Sequence, residues 1–138
     1  MSVVPGLPSP VAVTGVAGIP LTHRGIAHDF AVVSGHLPPG HPDSLVSWEA
    51  LAGLDGTLVL MMAVDNAAAI AEALVAHGRR PDTPVAVVSD GTMPDERTVL
   101  ATLGTLGRRI ADDGIRPPAI IVIGDVVGVA RPDAFVEA

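Results

Sequence analysis

The side chains here best equipped for chemistry are histidine, arginine, serine and methionine, set beside glycines, prolines or the ends of apolar runs. His23, His28, His36 and His41 are separated by five, eight and five positions. That spacing fits no compact zinc pattern, and no cysteine is present to complete one. They read as polar loop histidines. Thr22-His23-Arg24 is a dense polar cluster, in which Arg24 could grip a carboxylate through its fork of N–H donors; the alternative is that His23 and Arg24 brace a loop. Met62 closes the apolar run Thr57-Leu58-Val59-Leu60-Met61-Met62. Ligands of open α/β sheets bind beyond the carboxyl ends of strands, and a thioether packs well on a flat ring. An ordinary core methionine is the competing account. Asp90-Gly91 follows another apolar run, where it either lets a ligand approach the backbone or merely turns the chain.

Elements that could position these residues alternate between extended and helical patterns. Ser9-Pro10 predicts a helix start, with serine as cap and proline at the first helical position, and Gly18-Ile19-Pro20 ends that helix. Phe30–Ser34 predicts a strand and Ser47–Leu51 a short helix. Thr57–Met62 is apolar throughout, as a strand buried on both faces is. Asp65 can cap a helix from Asn66 to His77, with Ala67, Ile70, Ala71 and Leu74 on one face and Gly78 closing it. Pro84–Ser89 predicts a strand, Arg97–Leu103 a further one, Thr105–Asp112 a helix and Ala119–Ile123 a last buried strand. The whole predicts one α/β domain over 1–138, with a mixed sheet of about five strands flanked by helices.

Composition narrows the function. With 49% hydrophobic residues and a mean hydropathy of +0.50, the 138-residue chain can build a core. It holds no apolar run near the roughly 18 residues of a membrane helix and no recognisable signal peptide, so a soluble, cytoplasmic protein is expected. The formal charge is −7, all eight basic residues are arginine, and Phe30, Trp48 and Phe135 are the only aromatics. Nucleic acid and anionic membranes are therefore unexpected partners. Neither a Gly-x-Gly-x-x-Gly nor a Walker loop is present, which weighs against an unrelated nucleotide-binding domain.

Three stretches in register resemble the uroporphyrinogen-III C-methyltransferases of the tetrapyrrole methylase superfamily. The first runs from Val3-Val4-Pro5-Gly6-Leu7 through Gly18-Ile19-Pro20-Leu21-Thr22-His23-Arg24 to Val33-Ser34-Gly35-His36. The second is Thr57–Met62 with its Ala-rich sequel and Gly78. The third runs from Pro84–Val88 through Gly91-Thr92 and Arg97-Thr98-Val99 to Pro118–Gly124. The resemblance implies a two-domain enzyme that binds S-adenosylmethionine between its domains, methylates uroporphyrinogen III to precorrin-2 and releases S-adenosylhomocysteine. This chain would correspond to the C-terminal domain. The N-terminal methylase domain, with its Pro-Gly-Asp and Gly-Gly-Asp-Pro loops, would be a partner, and turnover is expected only when that half is supplied.

By the same resemblance, Met62, Gly91, Pro118 and Ala119 contact the cofactor. Pro8 and Ser9 stand where the family usually carries Thr-Ala or Thr-Ser; proline lacks both hydroxyl and N–H, so Ser9 must substitute or the contact weakens. Thr22, His23 and Arg24 would face the polycarboxylate tetrapyrrole. Glu96 stands where glutamine is common, beside Arg97. No residue is a convincing base for the proton that must leave the methylated ring. Rival readings are a non-catalytic dimerisation or cofactor-binding domain, and another precorrin methylase. Apolar surface left open by a missing half favours a homodimer.

Overall fold

The structure, a computed structural model, describes residues 1–130. Its elements are α1 (Ser9–Val16), β1 (Phe30–Ser34), α2 (Trp48–Ala52), β2 (Thr57–Met61), α3 (Ala67–Ala76), β3 (Pro84–Ser89), β4 (Arg97–Thr102), α4 (Leu106–Asp112) and β5 (Ala119–Ile123). One-turn 3₁₀ segments at Val64–Asn66 and Leu103–Thr105 lead into α3 and α4, and another covers Asp125–Val129. The strands form one five-stranded mixed sheet in the order β1-β2-β5-β3-β4. β1 and β2 are parallel, while β5 runs antiparallel to both β2 and β3. The carboxyl ends of β1, β2 and β3 therefore share one edge of the sheet with the start of β5. Among the described residues no helix is long and apolar enough to cross a membrane.

Side-chain alternation divides the core. Leu58, Leu60, Val85, Val87, Ile121 and Ile123 face α2, α3 and α4, where Ile70, Leu74 and Leu106 are wholly buried. The intervening Val59, Ala86, Val88, Ile120 and Val122 face α1 through Val13, Ala17 and Ile19. Both faces of the central strands are covered, which is why their sequences are continuously apolar rather than alternating. The outer strands are less protected on the α1 side: Phe30 and Val32 of β1 and Leu100 of β4 remain 44%, 46% and 60% exposed. A single eight-residue helix is too short to span five strands.

Three local expectations are corrected. Ser9 is not the cap of α1: Pro8 is, in an extended conformation, and its carbonyl accepts from the N–H groups of both Val11 and Ala12 at 3.0 Å. Asp65 does not cap α3; it lies within the 3₁₀ turn, and Asn66 holds the cap position without a side-chain capping bond. The strand expected to include Met62 ends one residue earlier, because Met62 turns into the left-handed region with φ 52°. The α3 face formed by Ala67, Ile70, Ala71 and Leu74 is buried as read, and Gly78 closes the helix with φ 105°.

Candidate functional site

Where β2 and β3 end and β5 begins, the chain leaves an open cavity of about 440 Å³. Its floor is apolar: Met61, Val88 and Ile120 from the sheet and Val13 from α1. Around the rim stand Ser9, Met62, Asp65, Asp90, Gly91, Met93, Pro117, Pro118 and Ala119. Three strand termini thus converge on one hollow, the usual site of ligand binding in open α/β sheets. Five residues singled out from the sequence, Ser9, Met62, Gly91, Pro118 and Ala119, line it together.

Backbone conformation marks the same place. Met62, Asp90 and Thr92 are the only described non-glycine residues with positive φ, at 52°, 50° and 69°. Such conformations carry a cost and persist where the surroundings enforce them. Both strands are turned sharply away at their ends, which leaves Met62 64% exposed beside the hollow rather than in the core. Glu96 acts locally. Its carboxylate accepts the Thr92 N–H at 2.8 Å and holds the turn that carries Asp90 and Gly91. Arg97 is occupied with Asp113, through the Asp113 carbonyl at 3.0 Å and its carboxylate at 3.2 Å.

Gly91 has a packing reason that the sequence did not reveal. A Cβ there would lie 2.5 Å from Val13 Cγ1, so the glycine lets α1 dock against the β3 end. In α1 the first turn has few donors to offer. Pro8 and Pro10 have no N–H, and those of Val11 and Ala12 go to Pro8, which leaves the Ser9 N–H and hydroxyl. Pro8 itself is not among the lining residues. Asp65 is, although the sequence offered it only as a cap; its signal was its position just beyond a buried strand. Among the described residues, Asp65 and Asp90 are the only charged ones of the lining.

Thr22, His23 and Arg24 sit elsewhere. Their loop is tied to the start of β2, where the Thr57 hydroxyl donates to the Leu21 carbonyl at 2.7 Å and the Thr57 N–H to the Asp29 carbonyl at 3.1 Å. Met62 lies five residues further on, roughly 16 Å away at strand rise. His23 and Ala27 exchange backbone hydrogen bonds of 2.9 and 3.1 Å, and His23 Nδ1 lies 3.1 Å from the Arg24 carbonyl. The cluster closes a turn at the opposite edge of the sheet, apart from the hollow.

That edge also holds the most deeply buried cation among the described residues. Arg79, 8% exposed, donates to the Leu54 carbonyl at 2.9 Å and the Gly56 carbonyl at 2.8 Å. Burial draws its guanidinium below the ordinary value, an effect opposed by the nearby Asp125 and Asp55. It serves as a structural clamp.

Comparison with known proteins follows the same lines. A family model described as Tetrapyrrole (Corrin/Porphyrin) Methylases matches residues 1–107. An S-adenosyl-L-methionine-dependent uroporphyrinogen III methyltransferase of Methanosarcina barkeri is 42% identical over 91% of this chain and 49% of its own length. A siroheme synthase of Neisseria meningitidis is 48% identical over 93% of the chain but only 26% of its own length. The uroporphyrin-III C-methyltransferase of Thermus thermophilus, in a crystal structure with S-adenosyl homocysteine, superposes with a TM-score of 0.77 at 38% identity, covering 93% of this chain and 52% of that one. The chain spans about half or less of the length of these relatives.

Proposed function

The chain belongs to the tetrapyrrole methylases, and from that premise we propose that it forms one wall of an S-adenosylmethionine cleft in a uroporphyrinogen-III C-methyltransferase. The other wall would come from a second methylase domain, this chain acting as the C-terminal half. The observation that carries the reading is the convergence of Met62, Gly91 and Pro118-Ala119 from three different strand termini on one apolar hollow. A flat adenine suits that floor, with the exposed Met62 thioether packing on its face and backbone groups at the strand ends reading its edge. Ser9 offers an N–H and a hydroxyl to the remainder of the cofactor.

The charge pattern is consistent with this. S-adenosylmethionine carries a sulfonium, and among the described residues the charged ones at the rim are Asp65 and Asp90. Two carboxylates near a cation favour the charged methyl donor over its uncharged thioether product, which aids exchange after transfer. The chain's contribution to the reaction is then positional. Met62, Gly91, Pro118 and Ala119 would hold the donor over the apolar floor and keep water from it; the group, when bound, would supply the methyl for a new C–C bond, the C–S electron pair staying with sulfur and a proton leaving the ring system.

Calorimetry on the chain with S-adenosylhomocysteine and S-adenosylmethionine tests the cleft. Binding tighter than about 1 mM is expected, stronger for the cationic donor, with the gap narrowing as salt rises. Absence of heat, together with unmoved Met62 methyl resonances at millimolar ligand, overturns the reading. We also propose that a second copy of the chain covers the exposed Phe30 and Val32 on the outer strand β1; a clean monomer by sedimentation at high concentration removes that part.

A further inference from the structure

Three of the four methionines in the chain, Met61, Met62 and Met93, line the hollow, and the fourth, Met1, is fully exposed. The chain has no cysteine, so these thioethers are its oxidisable sulfur atoms. Their surroundings differ in the property that governs attack by a dissolved oxidant. Met62 and Met93 are 64% and 60% exposed. Met61, which stands opposite Ser34 in the β1–β2 pairing, is half-buried and packs against the core on the α1 side.

Backbone bonds hold the two exposed residues at the rim. Met62 leaves β2 with φ 52°, the turn that takes it out of the strand. Met93 sits in the turn after β3, where its N–H donates to the Asp90 carbonyl at 3.0 Å. Its own carbonyl accepts from the Glu96 N–H, also at 3.0 Å. Because β5 lies between β2 and β3, the two residues stand on either side of the start of β5. An oxidant entering the hollow from solvent meets exposed sulfur on both flanks before it reaches the floor.

We infer that Met62 is a redox modification site: hydrogen peroxide converts its thioether to the sulfoxide, and the oxidised side chain lowers the affinity of the cleft for its adenosyl ligand. This rests on the cleft reading given above and adds a control to it. In the reaction a sulfur lone pair attacks one peroxide oxygen, an S–O bond forms and the O–O bond breaks. Sulfur loses two electrons, and the second oxygen leaves as water after taking up the proton of the first. The product is polar where the thioether was apolar. Laid against a purine, its oxygen gives up water and gains no donor from the floor side chains Val13, Met61, Val88 and Ile120. A bound purine in turn covers the same sulfur, so occupancy and oxidation oppose each other. Two thiols of a sulfoxide reductase system return the thioether, leaving a disulfide and water, which makes the change reversible.

The test uses the full 138-residue chain, with S-adenosylhomocysteine as cleft probe and hydrogen peroxide as oxidant. Peptide mass spectrometry follows sulfoxide at each methionine, and catalase removes peroxide before each titration. Met62 should oxidise within about threefold of the rate of the fully exposed Met1, and Met61 more slowly. Excess S-adenosylhomocysteine should slow Met62 about fivefold or more while leaving Met1 unaffected. Complete oxidation at Met62 should weaken binding about tenfold or more, as burial of an unpaired polar atom implies. Treatment with the two epimer-specific sulfoxide reductases and dithiothreitol should restore it. Met62→Leu has no sulfur there; whatever its starting affinity, peroxide should change it by less than about twofold. Met93→Leu should keep most of the parental sensitivity. Unchanged affinity after oxidation of Met62, full sensitivity persisting in Met62→Leu, or Met62 reacting no faster than Met61 overturns the proposal. So does a loss of affinity matched by a lowered thermal midpoint, which marks unfolding rather than a blocked cleft. In each of those cases binding by the untreated chain leaves the cleft standing; an untreated chain that binds no S-adenosylhomocysteine removes both.

Discussion

The two edges of the sheet are built on opposite principles. At the edge where β2 and β3 begin, polar groups are paired off: Arg79 clamps the Leu54 and Gly56 carbonyls, Thr57 holds Leu21, and the Gly124 N–H donates to Pro84 at 3.0 Å. At the edge where those strands end, Met62, Asp90 and Thr92 have left-handed backbones, Met62 and Met93 are exposed, and the helix beside them has spare donors. One edge uses its hydrogen bonds to close the structure, and the other keeps groups open around a hollow. Fold stability and ligand affinity should therefore respond separately to changes at the two edges.

The largest expected effect is on the closed edge. Arg79→Ala leaves two carbonyls without their donors and opens space beneath the loop between α2 and β2. A loss of about 3 kcal/mol is expected, read as a lowered thermal midpoint, with S-adenosylhomocysteine affinity nearly unchanged in the fraction that stays folded. If affinity falls in step with stability, the edges are coupled and the comparison fails.

Gly91→Ala acts at the open edge and tests why glycine is there. The added methyl meets Val13 at 2.5 Å, so overpacking of about 1–3 kcal/mol is expected, together with weaker ligand binding as α1 is displaced. Adding Val13→Ala removes the contacted methyls. If the double variant recovers both stability and affinity, Gly91 serves helix packing alone; recovery of stability without affinity assigns it to close approach of the ligand as well.

The central sheet is legible in the sequence because burial on both faces leaves an unmistakable trace. Thr57–Met61, Pro84–Ser89 and Ala119–Ile123 could hardly be anything but inner strands, and Ile70 and Leu74 declare the buried face of α3. The site is legible in part, because ligands in such sheets gather at strand ends and those ends can be counted. What stays hidden depends on distances between segments remote in sequence. Nothing near Gly91 announces Val13, which lies 78 positions away, and nothing near Ser34 announces that Met61 will stand opposite it. Asp65 misleads because an acidic residue before a helix usually caps it, whereas here a 3₁₀ turn intervenes. Ser9 misleads for a related reason: with prolines on both sides, the chain enters the helix one residue early and Pro8 takes the cap position.

The smallest effect should come from Met62, and its sign matters more than its size. The residue is largely exposed and holds φ 52°, a conformation glycine adopts without penalty. Met62→Gly removes little buried surface and relieves the backbone, although glycine adds freedom to the unfolded chain. The sum should be a stability within about 1 kcal/mol of the parent, on the favourable side if relief outweighs entropy. Affinity for S-adenosylhomocysteine should nevertheless fall, because the thioether proposed to cover the purine is gone. A variant as stable as the parent but poorer at binding means that the strained backbone at this edge is maintained for the ligand. A variant that loses stability while binding normally would place Met62 among the structural residues, and the contrast between the two edges would lose its clearest example.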